Sequence, residues 1–208
     1  MLRIELSHIS KSFDSEQVIG NLTYSFEQPG SYALLGSNGS GKSTLLQIIS
    51  GFVSVDEGSI KYILNGRELD RGSLYALVSV CAPYAELIEE MTLTEFLSYH
   101  FSFKPCMVPL SDLLSLVGLQ HASDKLLSVC SSGMKQRIKL LCALVADTPM
   151  VLLDEPCTNL DHEGIALYLR LIELFASSKL CIVASNDAAE YSFCKHHLRV
   201  RELSALNK

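Results

Sequence analysis

The chain has 208 residues, a formal net charge of −6, 48% hydrophobic residues and 19% charged ones. That balance excludes a disordered chain, and the acidic total argues against a general nucleic-acid binder, which presents a basic face. Mean hydropathy is +0.24, yet the apolar runs Val78 to Pro83, Met150 to Leu153 and Leu180 to Ala184 are far shorter than the ~20 residues that span a bilayer.

The chain opens on β-pattern. Leu2, Ile4 and Leu6 alternate with polar residues, as do Leu22, Tyr24 and Phe26. Met1 to Leu6 holds no apolar segment of a signal peptide, so the chain is expected on the cytoplasmic side. Pro29-Gly30 marks a turn, and Tyr32 to Leu35 reads as a short apolar strand. A Gly/Ser-rich run from Gly36 to Thr44 follows. Leu45, Leu46, Ile48 and Ile49 then fall at helical spacing, with Gly51 as the C-terminal stop. Strands are expected at Ser59 to Leu64 and Leu74 to Cys81.

The texture changes from Tyr84 to about Lys135. Short helices are expected at Thr92 to Phe101 and at Ser111 to Val117, the second capped by Ser111. Beyond this segment Ile138, Leu141, Cys142 and Val145 predict a helix with one buried face. Met150 to Leu153 predicts a buried strand ending in Asp154-Glu155. Ile165, Tyr168, Leu169, Ile172 and Phe175 predict another helix, and Leu180 to Ala184 another strand. Buried strands alternating with amphipathic helices predict a mainly parallel sheet.

Seven cysteines occur without a Cys-x-x-Cys pair, and they are expected to pack as small buried hydrophobes. His196 and His197 are adjacent and point to opposite faces of a strand, so they cannot share a ligand.

Gly36 to Ser43 fits G-x-x-x-x-G-K-[ST] between a predicted strand and a predicted helix. Glycines there let successive backbone N–H groups converge on an anion, and the helix adds its positive end. Lys42 is expected to reach the β- and γ-phosphates, and Ser43 to ligate Mg²⁺. Asp154 and Glu155, at the exit of a buried strand, are expected to hold Mg²⁺ and to activate an attacking water, respectively.

These runs resemble the ATP-binding cassette ATPases, the nucleotide-binding subunits of ABC transporters, over nearly the whole chain. Leu34 to Leu46 is similar to their Walker A segment, Asp56 to Ile60 to the turn and strand after it, and Met150 to Pro156 to Walker B with its catalytic glutamate. Thr158 to Asp161 is similar to the D-loop. The run Cys130-Ser131-Ser132-Gly133-Met134 stands where the family has its Leu-Ser-Gly-Gly-Gln signature. The resemblance implies an α/β fold with a P-loop NTPase core and mainly parallel sheet. It also implies an N-terminal antiparallel β subdomain and an inserted helical subdomain. The expected division is 1–83 and 136–208 for the core and 84–135 for the helical part.

By the same resemblance, ATP is held by Gly36, Ser37, Asn38, Gly39, Ser40, Gly41, Lys42, Ser43 and Thr44, with Phe13 stacked on adenine. Ser43 and Asp154 take Mg²⁺. Glu155, Lys42 and Asn186 serve catalysis. Ser131, Ser132, Gly133 and Met134 cap the ATP of an opposite subunit, and Asp161 lines the subunit interface. A homodimer or cassette heterodimer is implied, closing on ATP and docked on an integral-membrane permease at the inner face of the cell membrane. No nucleic acid is implied. Leu87, Ile88, Met91 and Leu93 would suit a coupling helix of that permease.

Two positions depart from the family. Asn186 replaces the switch histidine and carries no proton. Pro83 falls where the Q-loop glutamine is usual, with Glu86 as the substitute near the metal. Slow ATP hydrolysis is therefore expected. The alternatives are a soluble ATPase switch without a permease and a low-turnover nucleotide-binding regulatory module.

Overall fold

The structure is a computed structural model that describes residues 1–14 and 16–201. Two sheets organise it. The first runs in the order β2-β1-β4-β5 and is antiparallel throughout. Its strands are β1 (Leu2–Phe13), β2 (Glu16–Glu27), β4 (Glu57–Leu64) and β5 (Arg67–Glu68). The second is parallel, in the order β6-β7-β8-β3-β9. It comprises β3 (Gly30–Leu35), β6 (Val78–Cys81), β7 (Met150–Asp154), β8 (Leu180–Ala184) and β9 (His196–Arg199).

Met150–Leu153 of β7 and the whole of β8 are continuous buried apolar runs because both faces of this sheet are covered. Successive side chains leave a strand on opposite faces. Val151 and Leu153 therefore join one core, with Ala33, Cys181 and Val183. That core is closed by α2 (Leu93–Phe103), α4 (Ser132–Val145) and α5 (His162–Phe175). Met150 and Leu152 join a second core with Leu34 and Ile182, roofed by α1 (Lys42–Ile49) and the inner face of the antiparallel sheet. The sheet alternation thus fixes α1 and its preceding loop on one side and α4 on the other.

Two expectations are corrected. Leu74 to Cys81 is not one strand: a 3₁₀ helix takes Arg71–Ala76 and only Val78–Cys81 pairs with β7. Leu74 is buried while Tyr75 is 71% exposed, so the run does not present the continuous apolar face of a central strand. Ser111 does not cap a helix. A 3₁₀ turn, Leu110–Asp112, starts behind Pro109, and the following helix α3 (Leu113–Leu116) has Asp112 at its N-cap position. The Ser111 hydroxyl donates to Asp112 Oδ1 at 2.9 Å instead.

Gly51 lies one residue beyond the Ser50 C-cap, in the left-handed conformation at φ 82°. The short helix α6 (Ala188–Tyr191) follows β8. The expected core segment 136–208 runs past the description, since 202–208 lie outside the described residues. No helix among the described residues is long and apolar enough to cross a membrane. Six of the seven free thiols are buried and Cys106 is half-buried.

Candidate nucleotide site

The parallel register sets the site. Leu34 and Asp154 both pair with Ala184, so β3, β7 and β8 end side by side. Ligands of open α/β sheets bind beyond such strand ends. Beyond β3 the chain turns through Gly36 to Gly41 into α1. Gly41 is the N-cap of α1 at φ 94°, a left-handed conformation that favours glycine. A Cβ on Gly36 would lie 2.5 Å from Ser40 Oγ. The loop therefore curls only with glycine at both offsets.

Lys42 is 6% exposed, and its ammonium donates to the carbonyls of Gly36 at 2.7 Å and Ser37 at 3.3 Å. The Ser40 N–H donates to Ser37 O at 3.0 Å, tightening the loop. Ser37, Asn38, Gly39 and Ser43 are exposed, and Thr44 is half-buried. Asn186, just past β8, donates from Nδ2 to Asn38 Oδ1 at 3.0 Å. The switch position thus meets the phosphate loop directly.

Among the described residues, two buried side-chain polar atoms have no hydrogen-bond partner: Ser40 Oγ and Asp154 Oδ1. Both belong to this site. Orphaned buried polar groups are costly, and they mark places where a ligand or ion completes the bonding. Burial pushes the Asp154 carboxyl up, while the Ser43 hydroxyl and the Lys42 charge pull it down. A hard oxygen pair, one hydroxyl and one carboxylate, suits Mg²⁺. Glu155 is exposed and sits at φ 45°.

The other expected residues gather elsewhere. Ser131 is the N-cap of α4 and accepts from Met134 N–H at 3.2 Å. Asp161 is the N-cap of α5, accepting from Gly164 N–H at 2.8 Å, and it pairs with Arg137 at 3.6 Å. Ser131, Ser132, Gly133, Met134 and Asp161 line one open cleft of about 450 Å³, which no phosphate-loop residue lines. Phe13 is 45% exposed at the end of β1, with the Lys11 ammonium 5.2 Å from its ring centroid.

The Pro83 segment holds a surprise. Glu86 is exposed. It lines a groove of about 400 Å³ with Glu89, Lys135, Gln136 and Lys139. Tyr84 lies by the acidic strand end instead: burial and then the Asp154 charge raise its pKa, while Gln47 lowers it. Leu93 is fully buried in the helical core, and Leu87 and Met91 pack against that core. Of the four expected docking residues, Ile88 is 38% exposed and Leu87 and Met91 are half-buried. Sequence spacing missed Tyr84, and also Gln136 and Glu190, whose side chains bond the Pro156 carbonyl and the Cys157 N–H just past Glu155.

Residues 19–158 match the family model described as ABC transporter. A lantibiotic transport ATP-binding protein, SrtF, of Streptococcus pyogenes is 33% identical over 88% of this chain and 79% of its own length. A Nod factor export ATP-binding protein I of Bradyrhizobium diazoefficiens is 29% identical over 91% of this chain and 64% of its own. Among solved structures, an ATP-binding subunit of an ABC transporter superposes with a TM-score of 0.81 at 24% identity, over 94% of this chain and 85% of the other. A dimeric bacterial ABC transporter cassette gives a TM-score of 0.79 at 20% identity, over 95% and 94%. With this fold, phosphate loop and acidic strand end, the chain belongs to the ABC transporter family, as an ATP-hydrolysing ATP-binding cassette.

Proposed function

We propose that this chain drives transport through a separate membrane permease by hydrolysing ATP with Mg²⁺ at a site shared between two cassettes. The observation that carries this reading is the pair of orphaned buried oxygens, Ser40 Oγ and Asp154 Oδ1, beside the Lys42 loop. Backbone N–H groups of Gly36 to Thr44 and the α1 N-terminus bind the phosphates. Lys42 turns from the Gly36 carbonyl to the β- and γ-phosphates, and Phe13 stacks on adenine. Ser43 and Asp154 hold Mg²⁺, which when bound polarises the phosphate oxygens. Glu155 accepts the proton of the attacking water.

Asn186 positions an amide donor near the γ-phosphate but takes up no proton, and Pro83 offers no side-chain polar group. Both favour slow turnover. Ser131, Ser132, Gly133 and Met134 line a cleft apart from the phosphate loop, with Asp161. A second cassette, identical or related, is the economical way to bring such residues onto ATP. The permease holds the pair at the cytoplasmic face of the membrane and selects the transported molecule.

Purified protein with ATP and Mg²⁺ should release phosphate at a rate rising more than linearly with protein concentration. Glu155→Gln should lower turnover by about 10²–10⁴. Equal turnover in the two proteins would overturn the role given to Glu155. Co-purification of the tagged chain with a multispanning membrane protein tests the permease; recovery only from the soluble fraction would favour an ATPase switch.

A further inference from the structure

We propose that Glu190 and Gln136 are positioning residues for Glu155, gripping from two sides the strained turn that carries it. The inference rests on the reading of Glu155 as the base of hydrolysis.

Glu155 adopts φ 45°, a conformation that a side-chain-bearing residue holds only when its surroundings impose it. Backbone bonds supply part of that constraint. Glu155 N–H donates to Ala184 O at 2.9 Å, and Thr158 N–H returns to Glu155 O at 3.2 Å. Two buried side chains supply the rest, one on each of the next two residues. Gln136 Nε2 donates to Pro156 O at 2.6 Å. Cys157 N–H donates to Glu190 Oε1 at 2.6 Å. Gln136 is 7% exposed and Glu190 5%. The two anchored groups are the C=O and N–H of one peptide, Pro156–Cys157, and the Pro156 ring fixes its own φ. Tilting either anchor therefore rotates the Glu155 Cα–Cβ direction.

The anchors are themselves held. The Tyr168 hydroxyl, fully buried, donates to Glu190 O at 2.7 Å. The Ser185 hydroxyl, beside the Glu190 carboxylate, pulls its pKa down. Stability alone does not account for this arrangement. Burial pushes the Glu190 carboxyl up, and the nearby charges of Asp187 and Glu155 push the same way. Replacing buried charges by apolar groups of similar volume is often neutral or stabilising. Placement matters too. Gln136 lies in α4, which starts at the Ser131 cleft, and Glu190 lies four residues past Asn186. The turn carrying Glu155 is thus tied to both segments that would sense a closed nucleotide site.

Phosphate release and ATP binding should be measured for Glu190→Ala, Glu190→Gln and Glu155→Gln, and for Glu190→Ala in the Glu155→Gln background. Glu190→Ala should lower kcat about 10–10²-fold with KM for ATP nearly unchanged, as small misplacements of reacting groups do. Glu190→Gln, whose Oε1 still accepts from Cys157 N–H, should recover most of kcat. In the Glu155→Gln background Glu190→Ala should cost nothing further, since the group it positions is already disabled. Hydrogen exchange at the Cys157 amide should quicken in Glu190→Ala and not in Glu190→Gln. Wild-type kcat in Glu190→Ala, additive losses in the double variant, or equal loss of kcat in both Glu190 variants would each overturn the proposal. If Glu155→Gln itself keeps wild-type turnover, the role of Glu155 fails first, and the Cys157 exchange alone then judges whether the grip exists.

Discussion

Asn186 meets the phosphate loop through one amide hydrogen bond, Nδ2 to Asn38 Oδ1. Asn186→Ala removes that tie and the proposed donor to the γ-phosphate, and is expected to lower kcat about 10-fold, the scale of one such hydrogen bond. Undiminished phosphate release in the variant would leave Asn186 without a role. Lys179 offers a stability test. It is 3% exposed, and its ammonium donates to Leu144 O and Ala146 O at 2.8 and 2.6 Å. Burial pulls its pKa from 10.5 down to about 8. Between those values the unfolded chain binds the extra proton, so stability rises with pH there. The unfolding free energy of wild type relative to Lys179→Met should gain on the order of 2 kcal/mol between about pH 8 and pH 10. A flat difference would mean that Lys179 titrates normally. At this scale the phosphate loop was legible because an anion cradle needs glycines at fixed offsets. Glu190 was not, because its partner Cys157 lies 33 residues away and nothing in the local pattern links them.

Helix starts carry the site as much as single residues do. α2 begins in a capping box: Thr92 accepts from Glu95 N–H at 3.2 Å, and Glu95 accepts from Thr92 N–H at 2.8 Å. Ser131 caps α4 with one bond to Met134 N–H. Ser131→Ala should therefore cost about 1 kcal/mol of stability, measurable by urea unfolding. If Ser131 also touches ATP, kcat should fall well beyond what that loss explains; parallel small losses in both would confine Ser131 to capping. The periodic helices and apolar strands were readable because each buries a face set by its own period. The 3₁₀ segments were not. Arg71–Ala76 and Leu110–Asp112 are set by a single buried leucine and by Pro109, with too few residues to show any period.

For the whole molecule, the residues proposed to surround one ATP lie in two separate places: the phosphate loop with Asp154, and the cleft of Ser131 and Asp161. Complementation tests whether a second copy joins them. Lys42→Ala and Ser131→Arg should each be nearly inactive alone. Mixed in equal amounts, they should recover about a quarter of wild-type activity, because half the pairs are mixed and each holds one intact site. No recovery on mixing would argue for sites completed within one chain. The buried thiols have a practical consequence for all these variants. Six of the seven cysteines are enclosed and Cys106 is half-covered. A small thiol reagent should therefore label the native protein at Cys106 first and at the other six only on opening. The number of fast-labelled sites is a built-in gauge of integrity, able to separate a variant that has lost chemistry from one that has lost its shape.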